Sequence, residues 1–193
     1  MAKAMSAQNR VTPSAKGLAA AAKAASGKKL PPVQEWNPPF SGDLDIQIKR
    51  DGTWIHEGGV IGRPEMVRLF ASILKIEDGL YYLVTPVEKV GIQVEDVPFV
   101  AVDFDAVGEG NEQVLSFTTN VGDIAIVGAE TLLRCEVDEA SGEPAPYVMV
   151  RHGLEARIDR KSFYRMVDLA VEHDGQIGVW SRGVFFPLMQ ADA

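Results

Sequence analysis

Two stretches that lie far apart in this chain repeat one pattern, and the repeat limits the fold more than any other feature of the sequence. The first begins at Ile61 and the second at Ile158, and in both copies arginines stand two and seven positions later. Apolar residues then recur at i, i+3, i+4, i+7 and i+8: Met66, Leu69, Phe70, Ile73 and Leu74 in the first copy, and Phe163, Met166, Val167, Ala170 and Val171 in the second. This spacing predicts one amphipathic helix per copy, beginning at Pro64 in the first and after the N-cap residue Asp159 in the second.

Short β-rich stretches flank both predicted helices. Two precede each helix, and an Asp-Gly pair followed by another stretch comes after it, at Asp78-Gly79 and at Asp174-Gly175. Further alternating stretches, separated by turn residues, fill the segment between the copies. The sequence therefore predicts an α+β fold that is predominantly antiparallel β, with two similar repeated subdomains that each carry one amphipathic helix. We place the subdomains at residues 39–105 and 106–193.

A basic extension rich in alanine and proline is predicted for residues 1–38. It carries six basic side chains and one acidic one, whereas the rest of the chain carries 13 basic and 26 acidic ones. The Pro-Ser pair followed by alanines at residues 13–23 is typical of a capped helix start, and we expect a marginal helix with little apolar surface to bury. Four prolines among residues 31–39 predict a stiff, extended strap that contacts the body through Trp36 and Phe40.

Charge and composition exclude several classes of protein. The net charge is −8 and the acidic residues lie mostly outside the extension, so the body is a poor partner for nucleic acid. Apolar runs are too short to span a membrane, and we expect no membrane partner. Cys135 is the one cysteine of the chain, so no internal disulfide can form. A single cysteine fits a reducing compartment, and we expect a cytoplasmic protein.

Familiar catalytic signatures do not occur in the sequence: there is no GxxxxGK[ST] loop, no GxGxxG after a strand and no GxSxG elbow. The histidines are His56, His152 and His173, and one acidic cluster holds Asp103, Asp105 and Glu109. Neither set has the spacing of a metal site. Cys135 lies in an apolar pattern typical of a buried residue. We therefore predict no catalytic residue, no metal and no cofactor.

Two polar kinks between apolar strands are the best candidates for ligand contacts. They cover residues 84–89 and 118–123 and combine hydrogen-bonding side chains with turn residues. Both lie between the repeated helices, where a junction of subdomains often binds a ligand. The predicted binding residues are Arg63, Thr85, Glu88, Lys89, Thr119, Asn120, Asp123 and His56. In this interpretation Arg63 and Lys89 hold an anionic group, while Asn120 and Asp123 contact a base or a sugar.

Several stretches resemble the bacterial DUF1285 family, a domain of unknown function. The specific ones are Thr-Pro-Val-Glu-Lys at residues 85–89 and Val-Glu-Asp-Val-Pro-Phe at residues 94–99, and the match continues into residues 178–188. The resemblance implies a duplicated architecture whose C-terminal half is loosely similar to pleckstrin-homology-like folds. It also implies a site for a nucleotide-like ligand between the halves and a role in signalling. Because similarity of fold does not imply similarity of function, the resemblance to pleckstrin-homology-like folds does not imply phosphoinositide binding.

Three functions remain open from the sequence. We favour a non-enzymatic module that binds a small, nucleotide-like ligand between the two subdomains and has a signalling or regulatory role. One alternative is a small enzyme that uses His56, Glu57 and Asp123 as acid–base groups. The other is a protein-interaction module with a surface formed by Trp180, Phe185 and Phe186.

Overall fold

A computed structural model describes residues 13–27 and 29–191. The predicted basic side chains Lys3, Arg10 and Lys28 lie outside these residues. The described part holds three α-helices: α1 (Ala15–Ala25), α2 (Pro64–Ser72) and α3 (Arg160–Val167). Its strands are β1 (Phe40–Ile48), β2 (Trp54–His56), β3 (Gly59–Val60), β4 (Leu74–Glu77), β5 (Leu80–Val84), β6 (Lys89–Val94), β7 (Phe99–Val107), β8 (Val114–Thr119), β9 (Ile124–Ile126), β10 (Leu133–Val137), β11 (Pro144–Arg151), β12 (Leu154–Ile158), β13 (Val171–His173), β14 (Gln176–Ser181) and β15 (Val184–Gln190).

The strands form two similar six-stranded sheets and one smaller sheet. Their orders are β3-β2-β1-β6-β5-β4, β10-β11-β12-β7-β8-β9 and β13-β14-β15. Successive strands pair antiparallel, as β11 does with β12 through Tyr147 and Arg157, whereas β12 and β7 are parallel. The α+β, mostly antiparallel β class is therefore confirmed, with more strands than the sequence suggested.

Contacts between residues divide the chain into two compact units. The first holds the described residues up to Asp45 together with Leu69–Ile92, and the second holds Ile46–Arg68 and the described residues from Gln93 onward. The predicted subdomain boundaries after residues 38 and 105 do not coincide with the limits of these two units. They stay a prediction about how the chain is organised.

Helix α1 is a packed part of the first unit. The Ser14 side chain caps it by accepting a hydrogen bond of 3.1 Å from the Gly17 backbone. Leu18 is 1% exposed and Ala22 is fully buried. The predicted helix start is confirmed, but the expectation that this helix buries little is wrong. Leu18 and Ala22 lie four positions apart on one face of the helix, and this face is buried against neighbouring residues.

The predicted strap also contacts the first unit. The Lys75 ammonium group donates a hydrogen bond of 3.2 Å to the Trp36 carbonyl. The Phe40 ring meets the Tyr82 ring edge-on, with centroids 6.1 Å apart. The Phe40 ring therefore contacts the body as predicted, whereas Trp36 does so through its backbone carbonyl, and the role of its ring stays a prediction.

The two repeated helices are shorter than their apolar pattern. Helix α2 ends at Ser72 and Leu74 already begins β4, while α3 ends at Val167 and Val171 begins β13. The last apolar positions of each predicted helix face therefore belong to the turn and strand that follow. Apolar residues at i+7 and i+8 suit the start of a strand as well as a third helical turn, so spacing alone does not separate the two.

Five hairpins share one kind of tight turn. Their two-residue loops are Glu57–Gly58, Asp78–Gly79, His152–Gly153, Asp174–Gly175 and Arg182–Gly183. In each loop the first residue has φ between 46° and 51° and the glycine has φ between 73° and 81°. Positive φ at both positions is the type I′ turn, whose twist matches that of paired antiparallel strands. Both Asp-Gly pairs noted in the sequence are among the five.

We expect Leu18→Ala to lower the free energy of unfolding by about 2–4 kcal/mol, because a buried leucine is lost and a cavity remains. Lys23→Ala on the exposed side of α1 is the matched control and should change stability by less than about 0.5 kcal/mol. Chemical denaturation measures both variants. Equal stability of the two would contradict the packed position of α1.

Candidate functional site

The predicted ligand residues of the first unit lie in and beside one turn. The Thr85 hydroxyl accepts a hydrogen bond of 3.2 Å from the Glu88 backbone and is fully buried, so it closes its own turn. The Lys89 ammonium group lies 2.5 Å from a Glu77 carboxylate oxygen and 4.8 Å from the centre of the Tyr82 ring. This hydrogen bond from Lys89 is the main reason why the pKa of Glu77 lies below its usual value.

Three predicted residues of the second unit also form one turn, between β8 and β9. The Asn120 side chain accepts a hydrogen bond of 3.0 Å from the Val100 backbone, and its own backbone donates one of 2.8 Å to the Val100 carbonyl. The Thr119 hydroxyl accepts a hydrogen bond of 3.0 Å from the Asp123 backbone. The Asp123 carboxylate is paired with Arg151. These polar groups therefore have partners within the protein.

The remaining candidates are placed by helix and hairpin ends. Arg63 is exposed directly before α2, and its carbonyl accepts the first hydrogen bonds of that helix. His56 ends β2, and Glu57 follows it in a type I′ turn, where φ is 49°. Of the eight predicted binding residues, three belong to the first unit and five to the second. Their ligand-binding role, and the acid–base role of His56, Glu57 and Asp123, stay predictions.

Three cavities within the second unit have walls made by other residues. One of about 420 Å³ lies beside β10 and β15 and includes Cys135, and one of about 410 Å³ includes Arg182. A third, of about 270 Å³, we name the arginine cavity. Its lining consists of Glu143, Pro144, Pro146, Arg157, Ile158, Arg160, Phe163 and Tyr164. It is the candidate site because its lining, which β11, β12, α3 and the loop before β11 supply, combines two guanidinium groups with two aromatic rings.

Helix α3 builds one wall of the arginine cavity. Asp159 caps the helix by accepting a hydrogen bond of 2.7 Å from the Ser162 backbone. Arg160 and Tyr164 follow four residues apart, so both side chains lie on one helix face, and both are exposed. Phe163 is buried and its ring centre lies 6.2 Å from that of Tyr164. The wall therefore combines an apolar floor with a cation and an aromatic ring at the rim.

Arg157 on β12 supplies the second cation, and carboxylates hold it firmly. One guanidinium nitrogen donates to an Asp96 oxygen at 3.0 Å and to the Tyr147 hydroxyl oxygen at 3.1 Å. The other lies 3.8 Å from an Asp138 oxygen. The Tyr147 hydroxyl in turn donates to Asp96 at 3.1 Å. We name these four residues the Arg157 network.

The network lies largely out of solvent. The side chains of Arg157, Asp96 and Asp138 are 21%, 14% and 9% exposed. Burial, with the Asp96 charge as the next cause, raises the pKa of the Tyr147 hydroxyl, which therefore stays protonated and able to donate. The Arg134 guanidinium lies 4.1 Å from the centre of the Tyr147 ring. The charges of Arg157, Asp96 and Asp138 are thus paired with one another within the protein.

Asp138 connects the network to the loop between β10 and β11. One of its oxygens accepts hydrogen bonds of 3.1 Å from the Ala140 and Ser141 backbones, while the other lies 2.9 Å from the Arg50 guanidinium. The bonds from Ser141, followed by that from Arg50, hold the pKa of Asp138 below its usual value. The same carboxylate therefore shapes the loop and joins the network.

The two arginines of the cavity differ in how strongly they are held. Arg160 is 65% exposed and pairs with Glu143, which is 58% exposed, at 2.5 Å. Water screens such a pair, so it is worth about 1 kcal/mol at most. Arg157 has two buried carboxylate partners and cannot leave them without a large penalty. Arg160 is consequently the cation that can exchange its partner for an external anion.

Sequence reasoning found little of this site. Arg160 is one of the repeated arginines, and Asp96 lies in one of the stretches that resemble the family. No motif or spacing in the sequence points to Arg157 or Asp138. The ion pair of Arg157 and Asp96 joins β12 to the segment between β6 and β7, and the parallel pairing of β12 with β7 brings the two together.

Other predicted features have definite places. Phe186 is buried, whereas Trp180 and Phe185 are partly exposed and lie 5.3 Å apart between ring centres. The Asp103 carboxylate is paired with Arg165. Cys135 is half-buried, and burial raises the pKa of its thiol, which opposes a role as a nucleophile.

Two general searches cover the part of the chain that the structure describes. Among these residues, no group of three or more His, Cys, Asp or Glu side chains is arranged to hold a metal ion. None of the helices formed by the same residues is long and apolar enough to cross a bilayer.

Comparisons with known proteins point to one family. The model for the N-terminal DUF1285 domain of unknown function matches residues 31–97, and that for the C-terminal domain of this family matches residues 98–188. A crystal structure of a DUF1285 family protein from Silicibacter pomeroyi DSS-3 is 60% identical, with a TM-score of 0.86 over 90% of this chain and 95% of that one. Another, from Shewanella baltica OS155, is 28% identical, with a TM-score of 0.53 over 65% and 91%. No curated protein matches.

We expect Arg157→Ala to destabilise the fold by about 3 kcal/mol, because Asp96 loses its direct hydrogen bond from a guanidinium and Asp138 keeps Arg50 as its one remaining cation. Arg160→Ala, on the same cavity wall, should cost less than about 1 kcal/mol because its pair is exposed. Urea unfolding of both variants measures the difference. Similar losses for the two would show that the network does not support the fold.

A pH series tests Asp138. Its pKa is lowered in the folded state, so its contribution to stability is present above the unfolded pKa of roughly 4 and is lost as pH falls through the lower folded value. Asp138→Asn should therefore lower Tm most at neutral pH, and the gap to the unmodified protein should shrink below about pH 4. Thermal melts from pH 3 to 8 measure this gap. A gap that stays constant over that range would contradict the assigned role.

Proposed function

The chain belongs to the DUF1285 family, and we propose that it is a non-enzymatic module that binds a small anionic molecule in the arginine cavity. The observation that carries this proposal is the presence of Arg157 and Arg160 in one cavity with the rings of Phe163 and Tyr164. Guanidinium groups recognise phosphate and carboxylate oxygens through charge-assisted hydrogen bonds. The aromatic rim offers a face on which a planar group can stack.

A nucleotide-like ligand fits this chemistry. Its phosphate would pair with Arg160, while its base would lie against the exposed Tyr164 ring. The volume of about 270 Å³ is near the lower end of the range for ligand pockets, so it suits a small ligand or the phosphate end of a larger one. The residues that line the proposed site all belong to the second unit, and they do not include the kinks at residues 84–89 and 118–123, whose ligand-binding role stays a prediction.

We also infer that the chain arose by duplication. Both α2 and α3 are preceded by a hairpin with a type I′ turn, at Glu57–Gly58 and at His152–Gly153, and both are followed by one at an Asp-Gly pair. The order hairpin, helix, hairpin supports the sequence repeat without depending on its apolar spacing. The looser likeness of the C-terminal half to pleckstrin-homology-like folds belongs to the same proposal, as do a cytoplasmic location and a signalling or regulatory role.

Calorimetric titration with adenosine 5′-monophosphate tests the function. We expect binding that adenosine does not reproduce and that Arg160→Ala weakens at least about tenfold, because a charge-assisted hydrogen bond is worth roughly 1.5–3 kcal/mol. Arg165→Ala is the matched control: it removes an exposed arginine of the same helix that pairs with Asp103 and does not line the cavity. If neither adenosine 5′-monophosphate nor inorganic pyrophosphate binds, or if both arginine variants bind equally, the proposal is wrong.

A further inference from the structure

The partner that Arg160 has in the folded chain is itself an anion. Glu143 lines the arginine cavity, and its carboxylate lies 2.5 Å from the Arg160 guanidinium. A carboxylate at that distance occupies the hydrogen-bonding position that a phosphate oxygen of a ligand would take. A ligand oxygen cannot take that position on the Arg160 nitrogen while the Glu143 carboxylate holds it.

The structure holds Glu143 in this place through its backbone. The loop before it is closed by two hydrogen bonds, 2.8 Å from the Asp138 backbone to the Glu143 carbonyl and 2.7 Å from the Gly142 backbone to the Asp138 carbonyl. The Asp138 side chain also caps the loop and reaches Arg50. The Glu143 side chain, in contrast, is mostly in solvent and has rotational freedom, so it can leave Arg160 while the loop stays in position.

We propose that Glu143 is the specificity-determining residue of the site: it stands in for the ligand anion, and a ligand binds by displacing it from Arg160. This rests on the proposed function of the cavity. The displacement sets a charge requirement, because a neutral ligand cannot replace the carboxylate and a weak anion gains little over it.

The ion pair thereby lowers affinity by the amount needed to break it. Exposed pairs of this kind correspond to a factor of about two to five in an equilibrium constant. Repulsion between the freed Glu143 carboxylate and the incoming phosphate acts in the same direction. Removing the charge of Glu143 should therefore strengthen anion binding, whereas removing the charge of Arg160 should weaken it.

The test is titration of full-length Glu143→Gln with adenosine 5′-monophosphate, compared with the unmodified protein. We expect binding about two- to fivefold tighter. Glu136→Gln is the matched control, since Glu136 is 63% exposed and pairs with Arg134 but lies outside the arginine cavity. It should bind as the unmodified protein does. In an Arg160→Ala background the gain from Glu143→Gln should largely disappear, because the displaced pair no longer exists.

The outcomes separate this inference from the function on which it rests. If binding occurs and depends on Arg160, but Glu143→Gln leaves it unchanged or weakens it, the cavity binds anions and the displacement idea is overturned. An equal gain from Glu136→Gln overturns it as well, because general charge would then be the cause. If no protein variant binds the nucleotide or pyrophosphate, both proposals fail together.

Discussion

The position of the Arg157 guanidinium between two carboxylates is the constraint on which the second unit depends. Asp96 follows β6, Asp138 follows β10, and Arg157 lies on β12, so one charged group joins segments that are distant in the chain. The three side chains are at most 21% exposed, so each needs a partner of opposite charge, and Asp138 has a second one in Arg50. The charges therefore favour one arrangement of these segments, in which the Tyr147 hydroxyl accepts a hydrogen bond from Arg157 and donates one to Asp96.

The same arrangement explains why a cavity exists beside the network. Asp138 uses one oxygen for cations and the other for its loop, so the loop that carries Glu143 is fixed by the charges behind it. Across the cavity, Asp159 caps α3 and orients its first turn, from which Arg160 projects. The loop and the helix are anchored separately and leave a gap between them. The rim of this gap carries the Arg160–Glu143 pair, which is exposed and therefore screened by water.

The sequence predicted those parts of the fold that depend on neighbouring residues. Pro64 and Asp159 start helices, and both Asp-Gly pairs form the tight turns that their composition favours. The ends of the helices escaped prediction because Leu74 and Val171 satisfy helical spacing and strand pairing equally well. The candidate site escaped for a different reason. Arg157 and Asp96 meet only after β12 has found its place in the sheet, and no spacing along the chain records that meeting.

The two polar kinks contain hydrogen-bonding side chains because they form turns. A turn leaves backbone N–H groups without strand partners, and short polar side chains such as Thr85, Thr119 and Asn120 supply the missing acceptors. These acceptors are therefore used within the turns, while the ligand-binding role of the kinks stays a prediction. Arginines near a cavity follow the opposite logic: a buried one must be neutralised by the protein, as Arg157 is, while an exposed one can trade its partner at little cost. The strength with which the protein already holds a cation is therefore the criterion that selects Arg160, rather than Arg157, as the proposed ligand-binding group.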